Sequence, residues 1–101
     1  MIIGIPTDDG SVVSEHFGRS RYFAIIDREE GKETTHRLVE NPHDKEASEQ
    51  SGHGKLLKML VENKVGKVIC FNLNPRMQKN LEALKIKVEK VTKTIPLKSF
   101  Y

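Results

Sequence analysis

Histidine and arginine side chains cluster in one short stretch of this chain. The segment "SEHFGRSRYF" places His16 beside Gly18, with Arg19 and Arg21 following, directly ahead of an apolar run. A neutral imidazole nitrogen can ligate a metal, and a guanidinium can donate several hydrogen bonds to an anionic partner. The stretch is either an ordinary turn that leads into a strand or the rim of a binding site.

Further candidate groups follow later in the chain. His43 and His53 lie in the polar segment 40–54, which lacks apolar periodicity, and Lys55 comes next. We expect Lys55 to open a helix, where unpaired N–H groups and a partial positive charge attract anions. Cys70, in "VICF", is a possible metal ligand, although a buried cysteine is more often a small hydrophobic core residue. Taken singly, none of these residues decides the function.

The composition limits what such a site could hold. With 101 residues, 37% of them apolar and 31% charged, the chain is expected to form a single soluble domain covering 1–101. No apolar run approaches the roughly 20 residues that span a bilayer, and the N-terminus lacks the basic flank of a signal peptide, so we expect a cytoplasmic protein without a membrane partner. The one cysteine excludes an intramolecular disulfide and a four-cysteine cluster site.

Charge is divided unevenly along the sequence. Residues 1–54 carry a balance of −5 and residues 55–101 a balance of +8, which together give the net charge of +3. Such a division indicates a surface that attracts anions, because clustered like charges focus the field. A solvated lysine face would explain the same pattern without a ligand.

Hydrophobic patterning predicts the order β-β-β-α-β-α-β and therefore an α/β fold. Asn74 and Pro75 form a specific helix-start signal, and Gly66 is a plausible stop for the preceding helix. Pro96 could open a last helical turn. The predicted strands cover residues 2–5, 22–26, 34–39, 68–71 and 86–88, and the predicted helices begin at Lys55 and Pro75.

This order predicts a five-stranded mixed sheet with helices on its faces. The first, fourth and fifth strands should be parallel, because crossovers through helices are right-handed. The second strand should be antiparallel to the first, because the link from Gly10 to Ser20 is too short for a helical crossover. Binding sites in such sheets lie outside the carboxyl ends of the parallel strands. Residues 7–18, residues 51–54 and "FNLNP" should therefore converge, bringing His16, His53 and Cys70 to one end of the sheet.

The combination of motifs is more specific than any of its parts. "SEHFGRSRYFAIID", a polar loop with histidines, "HGKLLKMLVENKVGKVICF" and "NPRMQKNLEALKIKV" together resemble the dinitrogenase iron–molybdenum cofactor biosynthesis family over residues 1 to about 91. The segment "FNLNPRM" keeps Pro75 but lacks the glycines that many members have there.

The resemblance implies a ribonuclease H-like α/β fold and a non-enzymatic protein that carries iron–molybdenum cofactor, a precursor or another anionic metal–sulfur cluster between donor and acceptor proteins. Carried over by position, the motif histidine is His16, and His43 and His53 are the histidines of the second loop. The resemblance therefore favours a binding site over an ordinary turn for the opening stretch. The candidate metal ligands are His16, His43, His53 and Cys70. The candidate cofactor-binding residues are His16, Arg19, Arg21, His53 and Lys55.

Three other functions remain open at this point. A ribonuclease H-like nuclease would need clustered carboxylates that hold two metal ions, and the candidates are Asp8, Asp9, Glu15 and Asp27. Nucleic-acid binding by the basic second half would lack an aromatic stacking platform, so we do not expect it. A regulatory or interaction domain without any cofactor is the main alternative.

Overall fold

Strands and helices follow one another in the predicted order. The computed structural model describes residues 1–42 and 49–100, with the side chains of residues 49–53 outside that description. None of the helices in these residues is long and apolar enough to cross a membrane. The elements are β1 (Ile2–Thr7), β2 (Tyr22–Asp27), β3 (Thr35–Glu40), α1 (Glu49–Glu62), β4 (Lys67–Cys70), α2 (Pro75–Ala83), β5 (Lys87–Lys90) and a 3₁₀ helix (Leu97–Phe100).

In the described residues, five strands form a mixed sheet in the order β3-β2-β1-β4-β5. β2 is antiparallel to β1, with Ile3 opposite Ile26, and β3 is antiparallel to β2. β4 is parallel to β1, and β5 is parallel to β4. These pairings confirm the predicted orientations, and they place the carboxyl ends of β1, β4 and β5 at one end of the sheet.

Both helices pack on the same face of the sheet. Their apolar stripes contact the alternate strand residues that point to that side, because successive side chains of a strand face opposite ways. Gly4 of β1 leaves room there: a Cβ at this position would lie 3.3 Å from Val65 and 3.4 Å from Leu60. The buried core on this face comprises Phe17, Phe23, Ile25, Leu56, Met59, Leu60, Val65, Val68, Cys70, Met77, Leu81 and Ile86.

The other face of the sheet is covered by the end of the chain. Val13 N–H donates to Ile95 O at 3.1 Å, and Leu97 N–H donates to Ser11 O at 2.8 Å, so the C-terminal segment docks on the loop that follows β1. Leu97, in the 3₁₀ helix expected near Pro96, is 1% exposed. The core on this face comprises Ile3, Ile5, Val13, Ala24, Ile26, Ile69 and Leu97.

The predicted start of α1 is wrong by six residues. The helix begins at Glu49 rather than Lys55. Residues 49–54, which we expected in a long loop over residues 40–54, are therefore helical. Residues 43–48 lie outside the description. Gly52 and Gly54 concealed this start, because glycine weakens a helix. The cost is only about 1 kcal/mol per glycine. Glu49 and Gln50, which are good helix formers, continue the helix in the N-terminal direction.

A lysine in the left-handed conformation follows each helix, and α1 ends before Gly66. Lys64 follows α1 with φ 58° and Lys85 follows α2 with φ 62°, the left-handed conformation that usually calls for glycine. Each end forms the same pair of hydrogen bonds. Lys85 N–H donates to Glu82 O at 2.9 Å, and Ile86 N–H donates to Leu81 O at 2.9 Å. The predicted stop at Gly66 is therefore wrong, because Lys64 already reverses the chain.

Candidate functional site

A cleft of about 530 Å³ opens at the carboxyl end of the parallel strands. One wall comes from the loop between β1 and β2, and another comes from the turn between β4 and α2. Lys90, the last residue of β5, closes the third side. We call this the His16 cleft. It is lined by Glu15, His16, Phe17, Gly18, Arg19, Asn72, Leu73, Asn74, Met77 and Lys90.

The cleft has an apolar floor and a charged rim. Phe17 and Met77 are 5% and 1% exposed, and both belong to the helix-side core. The Phe17 ring meets the Phe23 ring edge to face, with centroids 5.2 Å apart and an interplanar angle of 84°. Packing of this kind holds the segment between β1 and β2 near its middle. His16, Arg19 and Lys90 are exposed around that floor.

The N-terminus of α2 borders the same cleft. Asn74 is the N-cap, and its side-chain oxygen accepts a hydrogen bond from Met77 N–H at 2.7 Å, which confirms the predicted helix start. Pro75 occupies the first turn, and that turn contains no acidic residue. The partial positive charge of the helix end adds to the charges of Arg19 and Lys90, while the Glu15 carboxylate opposes them. Two cations, one anion and a helix N-terminus favour a negatively charged occupant.

The segment ahead of His16 is tied to the turn after β1. His16 N–H donates to Ser14 Oγ at 3.1 Å, and Ser14 Oγ donates to Asp8 Oδ2 at 3.0 Å. Asp9 Oδ1 accepts from Ser11 N–H at 2.8 Å and from Val12 N–H at 3.3 Å. These backbone donors, Ser11 first, lower the pKa of Asp9 below its usual 3.8. The two carboxylates therefore serve the geometry of the turn.

The structure brings two of the predicted cofactor-binding residues, His16 and Arg19, into the cleft, but it leaves Arg21 outside. Arg21 N–H donates to Asp8 Oδ1 at 3.1 Å, and the guanidinium carbon lies 5.8 Å from the Tyr22 ring centroid. Lys55 does not line the cleft, and it lies inside α1 rather than at the start of a helix. The expected placement of Lys55 at a helix N-terminus is therefore wrong, and its part in cofactor binding stays a prediction.

Cys70, the one remaining predicted ligand whose side chain the structure describes, does not line the His16 cleft. Cys70 is 0% exposed, and burial raises the pKa of its thiol against a weaker opposing effect of the Lys90 charge. A raised pKa keeps this thiol neutral near pH 7. His53 lies in α1 with its side chain outside the description, and His43 lies among the residues that are not described. Within the described part of the chain, no group of three or more His, Cys, Asp and Glu side chains could hold a metal ion.

Sequence reasoning missed Lys90 and Asn41. Lys90 reaches the cleft because β5 runs parallel to β4, with Lys90 opposite Cys70. The predicted parallel order of the strands could have indicated this residue, because it ends a strand at the same end of the sheet. Asn41 is 1% exposed, and its Nδ2 donates to Ser20 O at 2.9 Å. No local pattern indicated this contact, because it joins residues 21 positions apart in the chain.

The geometry defines a small α/β protein with an anion-attracting cleft beside a helix N-terminus. The chain matches the model of the dinitrogenase iron-molybdenum cofactor family over residues 1–99. It therefore belongs to that family, as the sequence motifs indicated. No curated protein matches it in a sequence search.

Three solved structures resemble the chain. PH0822 shares 32% identity with a TM-score of 0.74, and the match covers 89% of this chain and 76% of that protein. A Thermotoga protein of the DUF35 family, provisionally named a NifB protein, shares 26% identity with a TM-score of 0.75, covering 97% and 81%. The apo orange protein from Desulfovibrio gigas shares 18% identity with a TM-score of 0.73, covering 88% and 73%. This last likeness shows the fold alone.

Proposed function

We propose that the protein binds and carries an anionic metal–sulfur cluster, either iron–molybdenum cofactor, a precursor or a related cluster, without catalysing a reaction. The observation that carries this proposal is that His16, Arg19 and Lys90 line one cleft at the N-terminus of α2. Family membership supplies the chemical class of the cargo, and the charges at the cleft suit its sign.

In this proposal, His16 supplies the direct bond to the cluster. A neutral imidazole is a metal ligand, and His16 is exposed at the rim where a cluster would arrive. Arg19 and Lys90 balance the negative charge, and the apolar floor formed by Phe17 and Met77 keeps water from one side of the cargo. His43, His53 and Cys70 remain predicted ligands.

Weak anchoring suits a carrier. One histidine and a few charge contacts hold a cluster less firmly than four cysteines would, so a donor protein can load the cleft and an acceptor protein can empty it. The open rim supports such a transfer, because Arg19 and Lys90 are both exposed to a docking partner.

A nuclease would require the acidic side chains to converge on metal ions. Asp8 and Asp9 accept hydrogen bonds from the segment between β1 and β2. Glu15 lines the His16 cleft, but the described residues contain no group of three or more His, Cys, Asp and Glu side chains that could hold a metal ion. Asp27 lies opposite Ile2, at the end of the sheet away from the cleft. These positions favour the carrier proposal over the nuclease.

The test is an anaerobic titration of the apoprotein with isolated iron–molybdenum cofactor, followed by visible absorption and by metal analysis after gel filtration. The same analysis on protein purified anaerobically from its native host would identify the physiological cargo. The proposal predicts saturable binding, with iron eluting together with the protein. If neither preparation retains metal, the protein is the cofactor-free interaction domain instead.

A further inference from the structure

The protein concentrates its buried polar side chains around one loop. Among the residues whose side chains the structure describes, those buried and polar are Thr7, Ser14, Ser20 and Asn41. Thr7 and Ser14 hold the turn that leads toward His16. Thr7 Oγ1 donates to Val12 O at 2.7 Å, and Ser14 N–H donates to Pro6 O at 2.7 Å. Buried polar groups are costly unless they are satisfied, so a network of this kind specifies one geometry.

Asn41 lies on the far side of this loop. It directly follows the last residue of β3, and its backbone N–H donates to Arg21 O at 2.9 Å. Its side-chain Nδ2 donates to Ser20 O at 2.9 Å and to Gly18 O at 3.3 Å. Ser20 Oγ lies 3.3 Å from the same nitrogen. The amide therefore reaches the loop at several points from a position that is 1% exposed.

The two carbonyl groups that Asn41 holds belong to the residues on either side of Arg19. Fixing the backbone at Gly18 and at Ser20 restricts the directions in which the Arg19 side chain can leave the loop. Arg19 lines the His16 cleft, whereas the amide itself stays beneath the loop. Asn41 is therefore placed to act on the cleft through Arg19 without lining it.

We propose that Asn41 is a positioning residue that holds Arg19 toward the anionic cargo of the His16 cleft. This inference rests on the proposed function for the cargo, but the positioning itself can be measured without any cargo. Removing the amide takes away the donor that the Gly18 and Ser20 carbonyl groups share. The backbone around Arg19 should then sample more conformations.

The experiment compares Asn41→Ala, Arg19→Ala and the double variant with the wild type. In the apoprotein, the backbone NMR order parameters of residues 18–20 should fall on Asn41→Ala, relative to those in β2, because the two carbonyl groups that the amide holds are released. Cluster affinity should fall about fivefold to tenfold, as expected for the loss of one or two hydrogen bonds. In the Arg19→Ala background, Asn41→Ala should change affinity by less than about twofold, because the group that it positions is absent.

Asn63→Ala is the matched control. Asn63 Nδ2 donates to Met59 O at 2.8 Å, and its side-chain oxygen accepts from the Arg37 guanidinium, so it also joins distant elements but does not contact the loop. It should lower stability without changing either readout. If Asn41→Ala does not fold, Asn41→Leu takes its place in the same cycle, because it keeps the side-chain size and removes the donor without adding a charge.

Unchanged order parameters at residues 18–20 would overturn the inference. So would equal losses of affinity on Asn41→Ala in the wild-type and Arg19→Ala backgrounds, because they would show that Asn41 does not act through Arg19. Failure of the wild type to bind any cluster would overturn the proposed function instead, and the order parameters of residues 18–20 would still decide whether Asn41 orders the loop.

Discussion

The two ends of α2 border surfaces of opposite character. At its N-terminus lies the His16 cleft, with a charged rim and a capped helix end. At its C-terminus lies an apolar groove of about 610 Å³ that α2 forms with α1. Leu84 and Val61, both at this groove, are 43% and 51% exposed. Between the two ends, Leu81 is fully buried in the core. One helix thus lies between a charged cleft suited to binding and an exposed apolar groove, and its buried residues supply stability.

Leu81→Ala should have the largest effect on stability and little effect on binding. Leu81 is 0% exposed within the helix-side core, so truncation removes packing and leaves a cavity. We expect the free energy of unfolding to fall by about 2–5 kcal/mol, measured by urea denaturation. Cluster affinity at a temperature where the variant is folded should stay within a few fold of wild type. A large loss of affinity there would show that the two ends of α2 are not separate.

Lys90→Ala should weaken cluster binding and leave stability almost unchanged. Its charge lines the cleft, so cluster affinity should drop several fold and depend less steeply on ionic strength, as measured by titration at low and high salt. Stability should change little, because Lys90 is exposed. Lys87→Ala is the matched control, since Lys87 lies on the same strand but does not line the cleft. Equal effects of the two substitutions would remove Lys90 from the site.

Lys85→Gly should stabilise the apolar end. Lys85 has φ 62°, a conformation that costs a residue with a Cβ about 1 kcal/mol more than glycine. We expect a gain of up to about 1 kcal/mol in denaturant unfolding, with cluster affinity unchanged. Lys64→Gly, at the equivalent position after α1, is a parallel test. A loss of stability in both variants would show that the lysine side chains contribute more than their backbone strain costs.

Asp9→Asn should have the smallest effect, confined to acid stability. The folded pKa of Asp9 is lowered from 3.8, so its carboxylate stabilises the fold above that pH. The contribution is lost as the pH falls below about 3.8 and through the folded pKa. The wild type should therefore lose its stability advantage over Asp9→Asn on acidification, as followed by thermal melts at pH 7 and in the range pH 2–4. A pH-independent difference would contradict this assignment.

Short-range sequence patterns predicted the order of the strands and helices. They did not predict side-chain contacts between residues far apart in the chain. Asn74 and Pro75 marked the start of α2 because a cap is a local signal, and the continuous apolar run of residues 22–26 placed β2 correctly. The start of α1 was missed because the two glycines concealed good helix formers. His16 and Arg19 were found through their motif. Asn41 was missed because its role depends on two segments that only the folded chain brings together.

The account depends most directly on His16. The decisive measurement is an anaerobic titration of the apoproteins of wild type, His16→Ala and His36→Ala with isolated iron–molybdenum cofactor. His36 is an exposed histidine on β3, opposite Ile26, and it does not line the cleft. The account predicts at least a tenfold loss of affinity for His16→Ala, with unchanged stability, and wild-type affinity for His36→Ala. Equal affinity in all three proteins would contradict it.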